Sequence, residues 1–161
     1  MINITETLKN IKILAKKKNL IISTAESCTG GLIAKYLTDL PGSSEFYDSS
    51  CITYSNNSKT LLLGVDSKSI ETYGAVSKEV AVEMCNGLLS KNNANLGISV
   101  SGIMGPSSDN TSKSIGLVWS CIKHKDIIEI FQFELNGSRQ ENRETTAENI
   151  IIKLYDFINE L

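Results

Sequence analysis

The sequence predicts an α/β fold, a mixed β-sheet flanked by helices on both faces in three layers. Three observations carry that expectation. Segments with apolar residues at helical spacing alternate with short β-branched runs. Two apolar runs late in the chain, residues 115–122 and 127–135, flank His124-Lys125-Asp126 and read as a hairpin. Three loops, residues 24–31, 101–106 and 136–139, are rich in glycine or serine and follow strand-like runs. Ligands gather in such sheets outside the carboxyl ends of the strands.

Taken in order, a helix opens the chain over residues 4–18 on Ile4, Leu8, Ile11 and Ala15. Lys16-Lys17-Lys18 closes it, where cations suit the helix dipole. Residues 20–23 read as a buried strand and residues 32–37 as a helix. The stretch between them, Thr24-Ala25-Glu26-Ser27-Cys28-Thr29-Gly30-Gly31, reads as a strand-to-helix turn whose glycines let backbone approach a ligand. Pro41-Gly42-Ser43-Ser44 is a turn signal. Residues 46–54 read as a strand, and residues 55–63 as a helix capped by Ser55 or Asn56 and stopped by Gly64. A short helix over residues 67–73 precedes a longer one capped by Ser77, with Val80, Ala81, Met84, Leu88 and Leu89 inside. Residues 96–100 read as a strand, followed by the glycine loop Ser101-Gly102-Ile103-Met104-Gly105-Pro106 and a polar stretch through Ser114. After the hairpin, Asn136-Gly137 breaks the chain, and a last helix runs to Leu161 on Ile150, Ile151, Leu154, Phe157 and Ile158. No repeat or linker divides these elements, so residues 1–161 are expected to form one domain.

Composition excludes several classes of function. The 161 residues are 41% hydrophobic and 21% charged, values of a globular domain. A formal charge of −2 gives no electrostatic footprint for nucleic acid. No apolar run reaches membrane-spanning length, and the N-terminus lacks the apolar core of a signal peptide. A cytoplasmic location is expected, without a membrane or nucleic-acid partner. Cys28, Cys51, Cys85 and Cys121 lie 23, 34 and 36 residues apart, without the close pairs of a zinc site. Cys51, Cys85 and Cys121 fall in apolar elements and read as buried thiols. In a cytosolic protein the glycosylation-like tripeptides at Asn56, Asn110 and Asn136 carry no meaning.

The central turn sets Ser27, Cys28 and Thr29 at a helix N-terminus, where a hydroxyl can be activated and an oxyanion held. The same stretch also fits a capped helix start with no chemistry. A cysteine hydrolase or a Ser-His-Asp triad needs a histidine base, and the single histidine, His124, falls in the hairpin turn. Ser120-Cys121-Ile122-Lys123 matches S-x-x-K, yet on a strand residues three apart point to opposite faces. A serine with a lysine base survives these eliminations. Tyr54 at a strand end and Lys59 a helical turn further on can reach one cleft, and a buried lysine loses its proton near neutrality. A surface lysine on an exposed helix face fits the same spacing.

The central turn resembles the signature of the CinA C-terminal domain family, the nicotinamide-nucleotide amidases. The resemblance continues through Pro41-Gly42-Ser43-Ser44, Thr53-Tyr54-Ser55-Asn56 with Lys59, Leu63-Gly64-Val65 and Gly74-Ala75-Val76-Ser77. It extends to Ser101-Gly102-Ile103-x-Gly105-Pro106, Gly137-x-Arg139-x-x-x-Arg143 and Thr146-Ala147, in the family's order over nearly the whole chain. It implies deamidation of nicotinamide mononucleotide to nicotinate mononucleotide and ammonia, with Ser27 as nucleophile and Lys59 and Tyr54 handling protons. It implies a substrate site drawn from Glu26, Thr29, Gly30, Gly31, Ser101, Gly102, Gly105, Arg139 and Arg143, with the two arginines and the glycine loop suited to the 5′-phosphate. No metal and no organic cofactor is implied. An assembly of identical subunits is expected on the same ground. Many such proteins carry a further N-terminal domain of the molybdopterin-binding type, whereas this chain is read as the stand-alone form.

The chain departs from the family pattern at Met104, where alanine is usual, at Ser107-Ser108-Asp109, where glycines follow, and at Ser114-Ile115, where a proline precedes the glycine matched by Gly116. These departures bear on substrate preference. Two other classes fit the same loops: a module that binds a pyridine nucleotide without turning it over, and an interaction protein linked to DNA uptake or repair.

Overall fold

The computed structural model describes residues 3–108 and 111–161. Asp109 and Asn110, which carry part of one departure and one glycosylation-like tripeptide, lie outside the described residues. Helical and strand periods alternate as α1 (Ile4–Lys17), β1 (Ile22–Glu26), α2 (Leu32–Thr38), β2 (Tyr47–Ile52), α3 (Asn56–Leu63), α4 (Ser67–Tyr73), α5 (Lys78–Lys91), β3 (Leu96–Gly102), β4 (Leu117–His124), β5 (Ile127–Glu134) and α6 (Arg139–Glu160). Polar N-cap side chains start every α-helix but α2, whose N-cap is Gly31. Ser55 accepts the Ser58 N–H, Ser77 that of Val80 and Ser138 that of Glu141, satisfying amides that have no intrahelical partner.

The sheet order is β2-β1-β3-β4-β5. The pairs of β1 with β2 and β3 are parallel, and β4 pairs antiparallel with both β3 and β5. Strand alternation sends Ile22, Leu96, Ile98, Val100, Val118 and Ile122 to one core with α1, α2 and α6. On the other face Ala25 joins Val80, Met84, Leu88, Leu63 and Val65 beneath α3, α4 and α5. The sheet is thus mixed and the layers are three, as the sequence predicts.

Four sequence expectations are corrected. β1 runs on through Thr24, Ala25 and Glu26, all fully buried, and β3 through Ser101 and Gly102, so both strands carry more of the presumed loops than their polarity suggests. His124 ends β4, its Nδ1 2.7 Å from the Asn95 carbonyl, and the turn is Lys125-Asp126. Cys51 is half-buried, because β2 is an edge strand; Cys85 and Cys121 are buried.

Candidate active site

Two neighbours at the end of β1 serve opposite faces of the sheet. Glu26 faces α2. Its carboxylate accepts Thr29 Oγ1 (2.6 Å) and the amides of Gly31 (2.9 Å), Ile33 (3.2 Å) and Ala34 (2.8 Å). An internal carboxylate therefore takes the helix N-terminal donors that a bound anion would otherwise use. Gly30 and Gly31, both at positive φ, allow the tight reversal between strand and helix.

Ser27 faces α3 and α5. Its amide donates to Val100 O (3.1 Å), and the adjacent Glu26 carbonyl accepts the Thr53 amide (2.8 Å). The serine is thus fixed between the ends of β3 and β2. Lys59, one turn into α3, runs inward with 1% of its surface exposed. Its Nζ lies 3.0 Å from Ser27 Oγ and 2.9 Å from the Thr53 carbonyl. Burial pulls the lysine pKa below its ordinary value, because the charged form loses its hydration. No carboxylate lies among its hydrogen-bond partners in the described residues. Its two partners are also what a neutral amine needs: a carbonyl to take an N–H and a hydroxyl to offer a proton.

Ser27 and Lys59 sit on the floor of a cleft. Tyr54, Asn56, Ala75, Val76, Ser101, Gly102, Met104, Gly105, Pro106, Ser107 and Arg139 complete its lining together with Cys28. Cys28 is buried, and burial pushes its thiol up to about 12, so it stays protonated beside the serine. Arg139, first residue of α6, reaches across the mouth. Its guanidinium donates to the Gly105 carbonyl (2.8 Å) and to the Tyr54 hydroxyl.

Two sequence readings change here. Tyr54 is 60% exposed and pairs with Arg139; the partner of Lys59 is the carbonyl of Thr53, one residue earlier. At a strand exit consecutive residues project to opposite sides, so Tyr54 turns to the rim. Glu26, Thr29, Gly30, Gly31 and Arg143 lie outside the lining of this cleft. Glu26 and Thr29 are fully buried in each other's hydrogen bonds and those of α2. Arg143 does share a helix face with Arg139, in an adjoining groove with Leu32, Gln140 and Glu144, but its guanidinium donates to the Thr29 carbonyl (2.9 Å) and packs over Gly30. Ser101, Gly102, Gly105 and Arg139 do line the cleft with Ser27, Lys59 and Tyr54.

With that geometry in place, comparison with known proteins decides the family. The CinA C-terminal domain profile matches residues 4–158. The chain belongs to the CinA C-terminal domain family. A CinA-like protein of Endomicrobium trichonymphae is 44% identical over 135 residues, covering 84% of this chain and 31% of that protein. A CinA-like protein of Fusobacterium nucleatum is 41% identical over 143 residues, covering 89% of this chain and 35% of the relative. The chain thus spans about a third of the length of the curated relatives it matches. Among solved structures, the competence/damage inducible protein CihA of Agrobacterium tumefaciens superposes with a TM-score of 0.91 at 35% identity, over 97% of this chain and 95% of that one. A CinA superfamily protein of Klebsiella pneumoniae does so with 0.94 at 25% identity, over 99% and 100%.

Within this CinA domain, one residue beside the site escaped the sequence reading. Asn142 is buried in α6, accepting from the Gly137 amide (2.9 Å) and donating to the Met104 carbonyl (3.2 Å). With Arg139 on Gly105 it pins the loop after β3 to the start of α6. The signal was a polar residue on the apolar face of a helix, between Arg139 and Thr146. Met104 itself is buried in the core beneath the cleft. Among the described residues no helix is long and apolar enough to cross a membrane.

Proposed function

We propose that this CinA domain is an amidohydrolase that converts nicotinamide mononucleotide and water to nicotinate mononucleotide and ammonia. The observation that carries the reading is the buried Lys59 nitrogen 3.0 Å from Ser27 Oγ at the floor of an open cleft. Neutral Lys59 takes the Ser27 proton as Oγ bonds to the carboxamide carbon. Carbonyl electrons move to oxygen. The donors we assign to that charge are the amides that follow the nucleophile, those of Cys28 and Thr29, which lie against the Cys28 sulfur and are donated to no backbone carbonyl among the described residues. As the oxyanion collapses the C–N bond breaks, and Lys59 returns its proton to the departing nitrogen, which leaves as ammonia. A water then gives a proton to Lys59 and attacks the acyl-serine. The ester bond breaks, Ser27 Oγ recovers its proton, and nicotinate mononucleotide is released.

Arg139 at the mouth suits the 5′-phosphate, since a guanidinium on a cleft rim can pair with an anion through two donors. Tyr54 orients that guanidinium rather than the base. The Glu26 carboxylate, held on the far face by α2, stabilises the turn that presents Ser27. Purified protein incubated with nicotinamide mononucleotide tests the reading. Equal amounts of ammonia and nicotinate mononucleotide are expected, and the absence of both would remove the activity.

A further inference from the structure

Four consecutive carbonyls join α4 to α5, and a side chain takes each of them. The Gly74 carbonyl accepts Ser77 Oγ (2.8 Å) and the Ala75 carbonyl accepts Ser101 Oγ (2.8 Å). The carbonyls of Tyr73 and Val76 both accept the same ammonium, that of Lys113. Irregular backbone has no ladder to satisfy its polar groups, so these side chains fix its path. Gly74 is part of the arrangement. It sits at φ +80°, where a side chain is strained, and a Cβ there would stand 2.9 Å from Lys113 Nζ and push the ammonium aside.

Lys113 comes from the segment between β3 and β4, some 40 residues beyond Tyr73. The same segment supplies Gly105, Pro106 and Ser107 to one side of the cleft, while Ala75 and Val76 line it from the α4–α5 link. Lys113 itself lies outside the cleft lining, but three residues on the Gly116 amide donates to the Ile103 carbonyl (2.6 Å), and Ile115 packs beside Gly105. Its ammonium thus ties the Ala75-Val76 wall to the base of the loop that carries Gly105. Neither Ser27 nor Lys59 depends on it for position, since β1, β3 and α3 hold them.

We infer that Lys113 is a positioning residue that sets the width of the cleft, clasping the Ala75-Val76 wall to the loop after β3 so that ligand meets a preformed mouth. Its kinetic consequence rests on the amidase reading above; its structural consequence does not. Without the clasp the binding-competent mouth is only a fraction of the population, and apparent affinity falls by that fraction. Saturating substrate restores the closed form, so turnover at saturation is little changed.

Lys113→Met keeps the apolar stem and removes the donors. In hydrogen exchange without ligand, the amides of residues 74–80 are expected to exchange on the order of tenfold faster in the variant, with β3 unchanged. With nicotinamide mononucleotide, KM is expected to rise about tenfold while kcat stays within about twofold and the pH profile keeps its midpoint. Unchanged exchange at residues 74–80 overturns the inference whatever the kinetics. Faster exchange throughout the domain also overturns it, leaving only a general contribution to stability. A fall in kcat at constant KM overturns positioning in favour of a part in the chemistry. If the parent protein releases no ammonia, the amidase reading fails, and the exchange comparison alone then supports or overturns the clasp.

Discussion

Lys59 Nζ stands 3.0 Å from Ser27 Oγ although 32 residues separate them in the chain. The pairing follows from sheet order. β1 delivers Ser27 at its carboxyl end, β2 lies alongside in parallel, and the chain leaving β2 turns at Ser55 into α3 with Lys59 aimed back at the serine. The cap at Ser55 sets the helix phase, and that phase decides whether the lysine faces the cleft or solvent.

On the proposed reading the nucleophile is the serine and not its neighbour. Burial holds the Cys28 thiol near 12, so almost none of it is thiolate at neutral pH. Cys28→Ala is expected to keep most of the parent kcat/KM, and peptide mapping after iodoacetamide treatment at neutral pH should find Cys28 unmodified. A Cys28→Ala variant that is folded and inactive would place the chemistry on sulfur.

Lys59 should leave a mark on stability as well as on rate. Its pKa is lowered in the folded chain by burial, while the unfolded chain holds it near about 10.4. Between the two values the unfolded state binds more protons, so this group's contribution to stability rises with pH across that window and is lost as pH falls through the folded value. Lys59→Met has no such dependence, and every other titrating group is shared. The Tm of the parent minus that of Lys59→Met is therefore expected to increase from pH 7 toward pH 10. A constant difference would mean that the lysine is not depressed.

Arg139 already spends two donors on Gly105 and Tyr54, which hold its guanidinium at the mouth. Removing a charge-assisted contact to phosphate costs about 1.5–3 kcal/mol, or roughly 10–150-fold. Arg139→Ala is expected to lose that factor in kcat/KM on the mononucleotide and far less on nicotinamide riboside. An unchanged preference between the two substrates would take Arg139 away from the phosphate.

The order of elements, the mixed sheet and the hairpin were legible, because the apolar periods of α1, α5 and α6 and the β-branched strands are strong local signals. The end of β1 was not. Thr24 and Glu26 look like loop residues; Glu26 is buried because α2 brings its amides to the carboxylate, and Thr24 because its hydroxyl meets Tyr47, Ser50 and Glu26. The spacing of Lys59 from the strand exit fitted a cleft and a surface position equally, and its burial could not be read. The Arg139–Tyr54 pair joins residues 85 apart, and Lys113 meets Tyr73 and Val76 across 40 and 37 residues. Contacts of that separation are set by topology, and no local period announces them.

The central claim, that a neutral buried lysine activates Ser27, is tested most directly by ammonia release from nicotinamide mononucleotide by the parent and Lys59→Met, both checked for folding by circular dichroism. Lys59→Met keeps the length and apolar packing of the side chain and removes its proton chemistry. The expected result is a loss of roughly 10²–10⁴ in kcat. A folded Lys59→Met variant with the turnover of the parent would contradict the serine–lysine mechanism.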